Sequence, residues 1–155
     1  MPSSRQELRP NCWHRVFSGA ILEIPSAASW IESIAADLHV PEPQAFGMQV
    51  CLEELMSNIL RHGRGSSKSY WPQIDPSNPL LISITVEAHA DRITMTVEDN
   101  GRPFNVAQAP AKAIDQPLER VEPGGLGIHL IKNFASNLQY SRTERGNRVI
   151  VEFEG

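Results

Sequence analysis

Hydrophobic positions along the chain follow two different periods, which predict an alternation of helices and strands. Apolar residues occur at helical spacing over residues 25–38 and 44–62, and in the second stretch they repeat at i, i+3, i+4 and i+7. Residues 80–87 and 92–99 instead alternate apolar and polar side chains, with a short turn between the two runs. This second pattern is typical of an antiparallel hairpin.

The other apolar segments extend the pattern toward both ends of the chain. Residues 13–24 predict one or two strands, a helix begins near Gly127, and a closing hairpin covers residues 138–142 and 148–154, with its turn at Gly146 and Asn147. The order is strands, two helices, two strands, a long loop, a helix and two strands. The sequence therefore predicts an α+β fold, a two-layer sandwich of a mixed, mostly antiparallel sheet with helices on one face.

Length and composition limit the domain organisation and the classes of partner. A chain of 155 residues with 41% hydrophobic residues suits one domain, which we place at residues 13–155 after a flexible N-terminal arm of residues 1–12. The net charge of −4 and the aromatic content of 6% argue against direct nucleic-acid binding. We find no signal peptide and no apolar run of the roughly 20 residues that span a membrane, so we expect no membrane association and a cytoplasmic location.

Two long segments of the chain lack a periodic hydrophobic pattern. Residues 64–79 form a polar, proline-bearing loop to which the sequence assigns no role, and the periodic pattern also disappears over residues 100–125. A structureless loop of more than about 12–15 residues inside a small domain is usually functional. Cys51 lies in the apolar helical stretch, so we expect a core residue rather than a reactive thiol.

The polar face of the second predicted helix carries the first candidate site residues. Glu54 and Asn58 are four residues apart and lie on one face, roughly opposite the core stripe, and Arg61 and His62 extend that face. This face is either simply solvated, or its carboxylate and amide oxygens hold a hard cation, or its carboxylate accepts a hydroxyl proton. Glu53 competes for these roles but points about 100° away from Glu54.

Two further features point to a ligand. Asp99 shares the parity of the apolar residues of its strand, so its carboxylate faces the core and needs a partner. That partner is either the backbone at the strand end or a donor on a buried ligand, such as an exocyclic amine. The run Gly124, Gly125, Leu126, Gly127 precedes a helix, where backbone N–H groups can approach an anion.

In this order, the segments EELMSNILRHG, VEDNGRPFN and GGLGIHLIKN resemble the three nucleotide-binding boxes of the GHKL ATPase superfamily. Within it, the form DNGRPFN, the segment GGLGIHLI and the short N-terminal portion are similar to the bacterial anti-sigma factor serine/threonine kinases. The resemblance spans about residues 13–154. It implies a histidine-kinase-like, Bergerat-type ATP-binding fold with ATP and Mg²⁺ as ligands.

The resemblance also implies roles for individual residues. Asn58 matches the asparagine that coordinates Mg²⁺ on the ATP phosphates, Glu54 matches the general base of the kinases, and Asp99 matches the aspartate that accepts a hydrogen bond from the adenine amine. By the same resemblance, Gly101 lies close to the base, and Gly125, Leu126 and Gly127 lie beside the phosphates. Arg61 matches a phosphate-contacting position, and His62 matches a family histidine whose role is open. Residues 103–123 match the ATP lid.

By this resemblance the protein is an ATP-dependent serine/threonine kinase and an anti-sigma factor. It would phosphorylate a serine of a STAS-domain antagonist, sequester a sigma factor and form a homodimer. The alternative is an ATP-binding regulatory module with little or no kinase activity. A detached histidine kinase catalytic domain is disfavoured, because the first 43 residues have no room for a phosphoacceptor helix pair.

Overall fold

A computed structural model describes residues 11–63, 79–106 and 127–154, and it contains five strands and three helices in that part of the chain. The elements are, in chain order, β1 (Cys12–Ser18), α1 (Glu23–Asp37), α2 (Glu42–His62), β2 (Leu81–Ala88), β3 (Arg92–Asp99), α3 (Gly127–Phe134), β4 (Asn137–Arg142) and β5 (Asn147–Glu154). None of the described helices is both long enough and apolar enough to cross a bilayer.

The described strands form one sheet in the order β1-β2-β3-β5-β4, and each of its four pairings is antiparallel. The predicted α+β sandwich is confirmed, and the sheet is antiparallel throughout its described part. Strand β3 lies at the centre, so its last residue, Asp99, pairs with Ile82 on one side and with Asn147 on the other.

The core lies between the helices and one face of the sheet. Alternate residues of the three central strands are buried on that face, while the residues between them are half-buried and mostly polar. The helices supply a matching apolar layer, which for α1 and α2 consists largely of Ala27, Ala28, Ile31, Ile34, Ala35, Met48, Cys51, Leu52, Leu55, Met56 and Leu60. Cys51 is fully buried, and burial raises the pKa of its thiol to about 12, as expected for a core residue.

Element ends differ from the predicted ones where prolines are involved. The second half of residues 13–24 is not a strand, because α1 begins at Glu23, two residues before Pro25. Helix α2 begins at Glu42, after Pro41 and with Pro43 in its first turn. Proline fits the first turn of a helix, where its missing N–H has no intrahelical acceptor.

Three predicted segments lie wholly or largely outside the described residues: residues 1–10 of the predicted arm, the loop from 64 to 78, and residues 107–126, which hold most of the predicted lid. Of the arm, Asn11 and Cys12 are described and adjoin the sheet. The backbone N–H of Ala88 donates to the carbonyl of Asn11, and Cys12 pairs with Glu87.

The β4–β5 turn packs directly against the end of β3, which gives a first prediction. Gly146 has a φ of +154°, and a Cβ at this position would lie 1.8 Å from the carbonyl oxygen of Asp99. Backbone strain and overpacking each typically cost about 1–3 kcal/mol. We therefore expect Gly146→Ala to lower the free energy of unfolding by at least about 2 kcal/mol, measured by urea denaturation.

Glu144→Ala is the matched control, because Glu144 is an exposed residue of the same turn. Its effect should stay within about 0.5 kcal/mol. A Gly146→Ala protein as stable as the Glu144→Ala protein would contradict the close packing of this turn.

Candidate functional site

A small cavity of about 20 Å³ lies between the C-terminal half of α2 and the adjoining ends of β3 and β5. It has room for about one water molecule, so a larger ligand has to widen it on binding. The predicted residues Asn58, His62 and Asp99 line it. The other lining residues are Leu55, Ile59, Gly63, Val97, Arg102, Phe104, Val106, Asn147 and Val149, so the cavity is mainly apolar with a few polar groups.

The polar face of α2 is only partly solvated: His62 is exposed and Glu54 is half-buried, whereas Asn58 is buried. Asn58 is 3% exposed. Its Nδ2 and the Oε2 atom of Glu54 are the two buried side-chain atoms in the described part of the chain that have no hydrogen-bond partner. Buried polar atoms in proteins almost always have a partner. This pair of unsatisfied atoms, one helical turn apart, therefore points to a polar ligand.

The environment of Glu54 favours its protonated form. Burial is the main cause of its raised pKa; the negative charge of Glu53 adds to the shift, and the positive charge of Arg61 opposes it. A carboxylate is a better proton acceptor when its pKa approaches the working pH. The geometry and the pKa shift thus suit Glu54 to acid–base chemistry, whereas Glu53 has no unsatisfied buried atom.

Asp99 faces the core, as its parity predicts, and is 8% exposed. Its Oδ1 accepts hydrogen bonds from the backbone N–H of Gly101 at 2.8 Å and from Nδ2 of Asn147 at 3.0 Å. Burial raises the pKa of Asp99, while these two hydrogen bonds and the charge of Arg142 oppose the rise. Asp99 therefore has a backbone partner at the strand end and also lines the cavity, and its role as an acceptor for a ligand stays a prediction.

Gly101 allows the segment after β3 to pack on the end of α2. A Cβ on Gly101 would lie 2.8 Å from the Cα of Gly63 and 2.9 Å from Oδ1 of Asp99. The next residue, Arg102, donates its backbone N–H to the carbonyl of Gly63 at 3.0 Å. The missing side chain of Gly101 thus allows the two chain segments to come into direct contact beside the cavity.

His62 and Phe104 lie at the edge of the same cavity. Their rings stack with centroids 4.0 Å apart and an interplanar angle of 11°. Burial, helped by the charge of Arg61, lowers the pKa of His62 and so favours the neutral imidazole. Arg61 is the neighbouring residue in the last turn of α2 and is not among the residues that line the cavity.

Sequence reasoning missed Asn147, which is 4% exposed and lines the cavity beside Asp99. The Gly-Asn pair after a polar run predicts a turn residue, but Asn147 is the first residue of β5. One signal is present in the sequence: Asn147 has the same parity as Val149, Val151 and Phe153, so its side chain has to face the core.

Of the predicted phosphate-binding glycines, Gly125 lies outside the described residues, as does Leu126. Gly127 is the first residue of α3. The described residues contain no group of three or more His, Cys, Asp or Glu side chains suited to a metal ion. A Mg²⁺ ion here would need oxygen ligands from a bound phosphate, which is how Mg²⁺ usually binds. The unsatisfied Nδ2 of Asn58 is a donor and fits a phosphate oxygen, and the unsatisfied Oε2 of Glu54 fits a donor such as a metal-bound water; only Oδ1 of Asn58 is suited to the ion itself.

Comparison with known proteins identifies the fold family of this site. The family model of the histidine kinase-like ATPase domain matches residues 19–153, and the chain belongs to this family. The serine/threonine-protein kinase BtrW of Bordetella bronchiseptica is 25% identical over 123 residues, which cover 79% of this chain and 80% of the relative.

Two more relatives bear similar names. The serine-protein kinase RsbW of Bacillus mycoides is 27% identical over 101 residues, covering 63% of this chain and 56% of the relative. The anti-sigma F factor of Anoxybacillus flavithermus is 21% identical over 140 residues, covering 90% and 89%. The resemblance to the anti-sigma factor kinases of the GHKL superfamily is therefore confirmed.

The raised pKa of Glu54 predicts how stability depends on pH. Between the ordinary value of 4.5 and the higher folded pKa, the folded chain binds more protons than the unfolded chain. Stability therefore falls as pH rises through this window and stays lower above it. We expect Glu54→Gln to be more stable than the wild type at neutral pH, with the difference vanishing below about pH 4.

Urea denaturation across this pH range measures the effect, with Glu53→Gln as the control. Removing Glu53 takes away only a minor cause of the Glu54 shift, so its pH-dependent gain should be smaller. If the free energy of unfolding of Glu54→Gln rises no more than that of Glu53→Gln at any pH, burial of the ionised Glu54 side chain does not destabilise the folded state.

Proposed function

We propose that this protein is an ATP-dependent serine/threonine kinase and an anti-sigma factor in a partner-switching system. The observation that carries the proposal is the pair of unsatisfied buried atoms on Glu54 and Asn58, which lie one helical turn apart. Asn58 also lines the same cavity as Asp99. The names of the relatives support the same activity: two are protein kinases that act on serine or threonine, and the third is an anti-sigma factor.

In this proposal the adenine base enters the cavity beside Asp99. The ionised carboxylate accepts a hydrogen bond from the exocyclic amine, and the apolar side chains of Ile59, Val97 and Phe104 contact the ring. The hydrogen bonds from Gly101 and Asn147 favour the ionised form of Asp99 that this role requires. Guanine offers a carbonyl oxygen where adenine has the amine, so GTP would place two acceptors against each other.

The transfer step requires a proton acceptor near the phosphate end of the nucleotide. The serine oxygen of the substrate protein attacks the γ-phosphorus, the bond to the β–γ bridging oxygen breaks, ADP leaves, and the hydroxyl proton passes to the carboxylate of Glu54. Asn58 would hold Mg²⁺ together with the phosphates, and the bound ion would neutralise phosphate charge. Phosphoryl transfer depends mainly on such positioning and charge stabilisation.

The partners follow from the same proposal. A STAS-domain antagonist would be the phosphorylated protein, and a sigma factor would be the sequestered one; we also propose a homodimer in the cytoplasm. A phosphoserine adds up to about two negative charges. The chain already carries a net charge of −4, so phosphorylation would weaken binding of the antagonist and leave the protein available for the sigma factor.

The assignment of Asp99 is tested by nucleotide affinity. Asp99→Asn removes the acceptor, so ATP binding should weaken by at least about 1–3 kcal/mol, or roughly 5- to 150-fold, in calorimetric titrations. Asp91→Asn is the control, because Asp91 is an exposed aspartate in the β2–β3 turn. The wild type should bind GTP poorly, and equal affinities for ATP and GTP would rule out this role.

The assignment of Glu54 is tested by phosphate transfer to candidate STAS-domain proteins from the same organism. Glu54→Gln keeps the shape of the side chain but removes the base, so the transfer rate should fall by about 10²- to 10⁴-fold while ATP affinity changes little. Asn58→Ala should weaken both Mg-ATP binding and transfer. Glu53→Gln is the matched control and should transfer at nearly the wild-type rate.

Other outcomes would change the assignment in defined ways. A rate loss in Glu53→Gln but not in Glu54→Gln would move the base to Glu53. If the wild type binds ATP but transfers phosphate to no STAS-domain protein, the alternative of an ATP-binding regulatory module replaces the kinase.

A further inference from the structure

The side-chain amide of Asn147 forms hydrogen bonds through both its nitrogen and its oxygen. Its Nδ2 donates to Oδ1 of Asp99 at 3.0 Å and to the carbonyl of Arg102 at 2.7 Å. Its Oδ1 accepts a short bond of 2.6 Å from the hydroxyl of Tyr140. Both ends of this buried amide are therefore used by protein groups.

The orientation of the amide is fixed by its neighbours. Both partners of Nδ2 are acceptors, whereas Oδ1 also receives longer contacts of 3.3 Å from the backbone N–H of Phe104 and from Nη1 of Arg142, which can only donate. A flipped amide would place its oxygen against the Asp99 carboxylate and its NH₂ group against these donors. The observed orientation is thus the one in which every contact is attractive.

Through these bonds, the β4–β5 hairpin holds the whole segment that follows β3. Asn147 contacts Asp99, Arg102 and Phe104, and Arg142 donates a second bond of 2.7 Å to the carbonyl of Gly101. The segment reaches from the carboxylate that faces the cavity to the ring that stacks on His62. The hairpin thus bonds to this segment at four of its residues.

We propose that Asn147 is a positioning residue that preforms the base subsite: it holds the Asp99 carboxylate and residues 101–104 in the binding geometry before a nucleotide arrives. This inference rests on the proposed function in so far as the ligand is ATP. A site that is ordered in advance loses less conformational entropy on binding, so the hydrogen bonds of Asn147 would contribute to affinity without touching the ligand.

The first test uses the nucleotide-free protein and three variants. Asn147→Ala removes both the donor and the acceptor of the side-chain amide, and Tyr140→Phe removes only the hydroxyl that donates to it. Asn137→Ala is the control, because Asn137 is an exposed asparagine of the same hairpin. In Asn147→Ala we expect the amides of Gly101 and Phe104 to exchange with solvent at least about tenfold faster, while core amides such as Val97 keep their protection.

The second test measures the titration of Asp99 by carbon NMR, together with ATP affinity as a function of pH. Loss of the Asn147 donor should raise the pKa of Asp99 further, so ATP affinity in Asn147→Ala should begin to fall at a higher pH than in the wild type as the solution is acidified. The other charged or titratable groups around Asp99 are, on the cavity side, His62 from α2, Arg102 from the segment itself and Arg142 from β4. On the opposite side they are His14 from β1, Glu98 from β3 and Arg145 from the β4–β5 turn. They are present in the control too, so the difference between the variants reports on Asp99.

At neutral pH we expect Asn147→Ala to bind ATP about 5- to 100-fold more weakly than the wild type. Tyr140→Phe should shift exchange, titration and affinity in the same direction by a smaller factor, and it becomes the deciding variant if Asn147→Ala does not fold. A Tyr140→Phe protein identical to Asn137→Ala would then overturn the proposal.

These readouts separate this inference from the proposed function. If the wild type binds no ATP, the proposed function fails, but exchange at Gly101 and Phe104 and the titration of Asp99 still decide the role of Asn147. If the wild type binds ATP, and Asn147→Ala leaves both exchange and titration unchanged, Asn147 does not preform the subsite.

Discussion

The burial of one carboxylate organises this end of the molecule. The parity of β3 forces Asp99 into the layer between sheet and helices, where an unpaired polar or charged group costs several kcal/mol. The carboxylate therefore needs donors, which come from the backbone of Gly101 and the amide of Asn147. Gly101 packs directly on Gly63 at the end of α2, where a Cβ on Gly101 would lie 2.8 Å from the Cα of Gly63. The turn after β3, the end of α2 and the β4–β5 hairpin are thus held together around a single side chain.

Helix α2 also buries polar groups, which again costs folding free energy. Its apolar stripe fixes the helix to the sheet, and this leaves Asn58 buried and Glu54 half-buried with one buried oxygen. Neither side chain has its polar atoms fully satisfied. A sequence selected only for stability would place apolar or solvent-exposed residues there, since buried polar groups without partners destabilise the folded state. Such unsatisfied groups are typical of functional sites, where a ligand supplies the missing partners.

The elements of the fold could be predicted because hydrophobic period and strand parity are local properties of the sequence. These two properties predicted the β2–β3 hairpin, the core stripe of α2 and the inward orientation of the Asp99 side chain. The same reasoning left open whether Glu54 and Asn58 face water, because periodicity defines the faces of a helix but not what covers them. Asn147 was missed for a related reason. A Gly-Asn pair favours a turn locally, whereas its actual position depends on pairing with a strand that lies 48 residues away.

The two buried carboxylates show how one domain can give the same chemical group two different roles. Burial raises the pKa of both, but Asp99 has two hydrogen-bond donors and the charge of Arg142 to oppose the rise. Glu54 has only the charge of Arg61, and one of its oxygens has no partner. The better-satisfied carboxylate suits an acceptor that stays ionised, and the less satisfied one suits a group that takes up a proton. Separation of acid–base roles by environment is a general feature of enzyme sites. In the proposed kinase, the hydrogen-bond donors around each carboxylate would therefore separate recognition of the base from transfer of the phosphate.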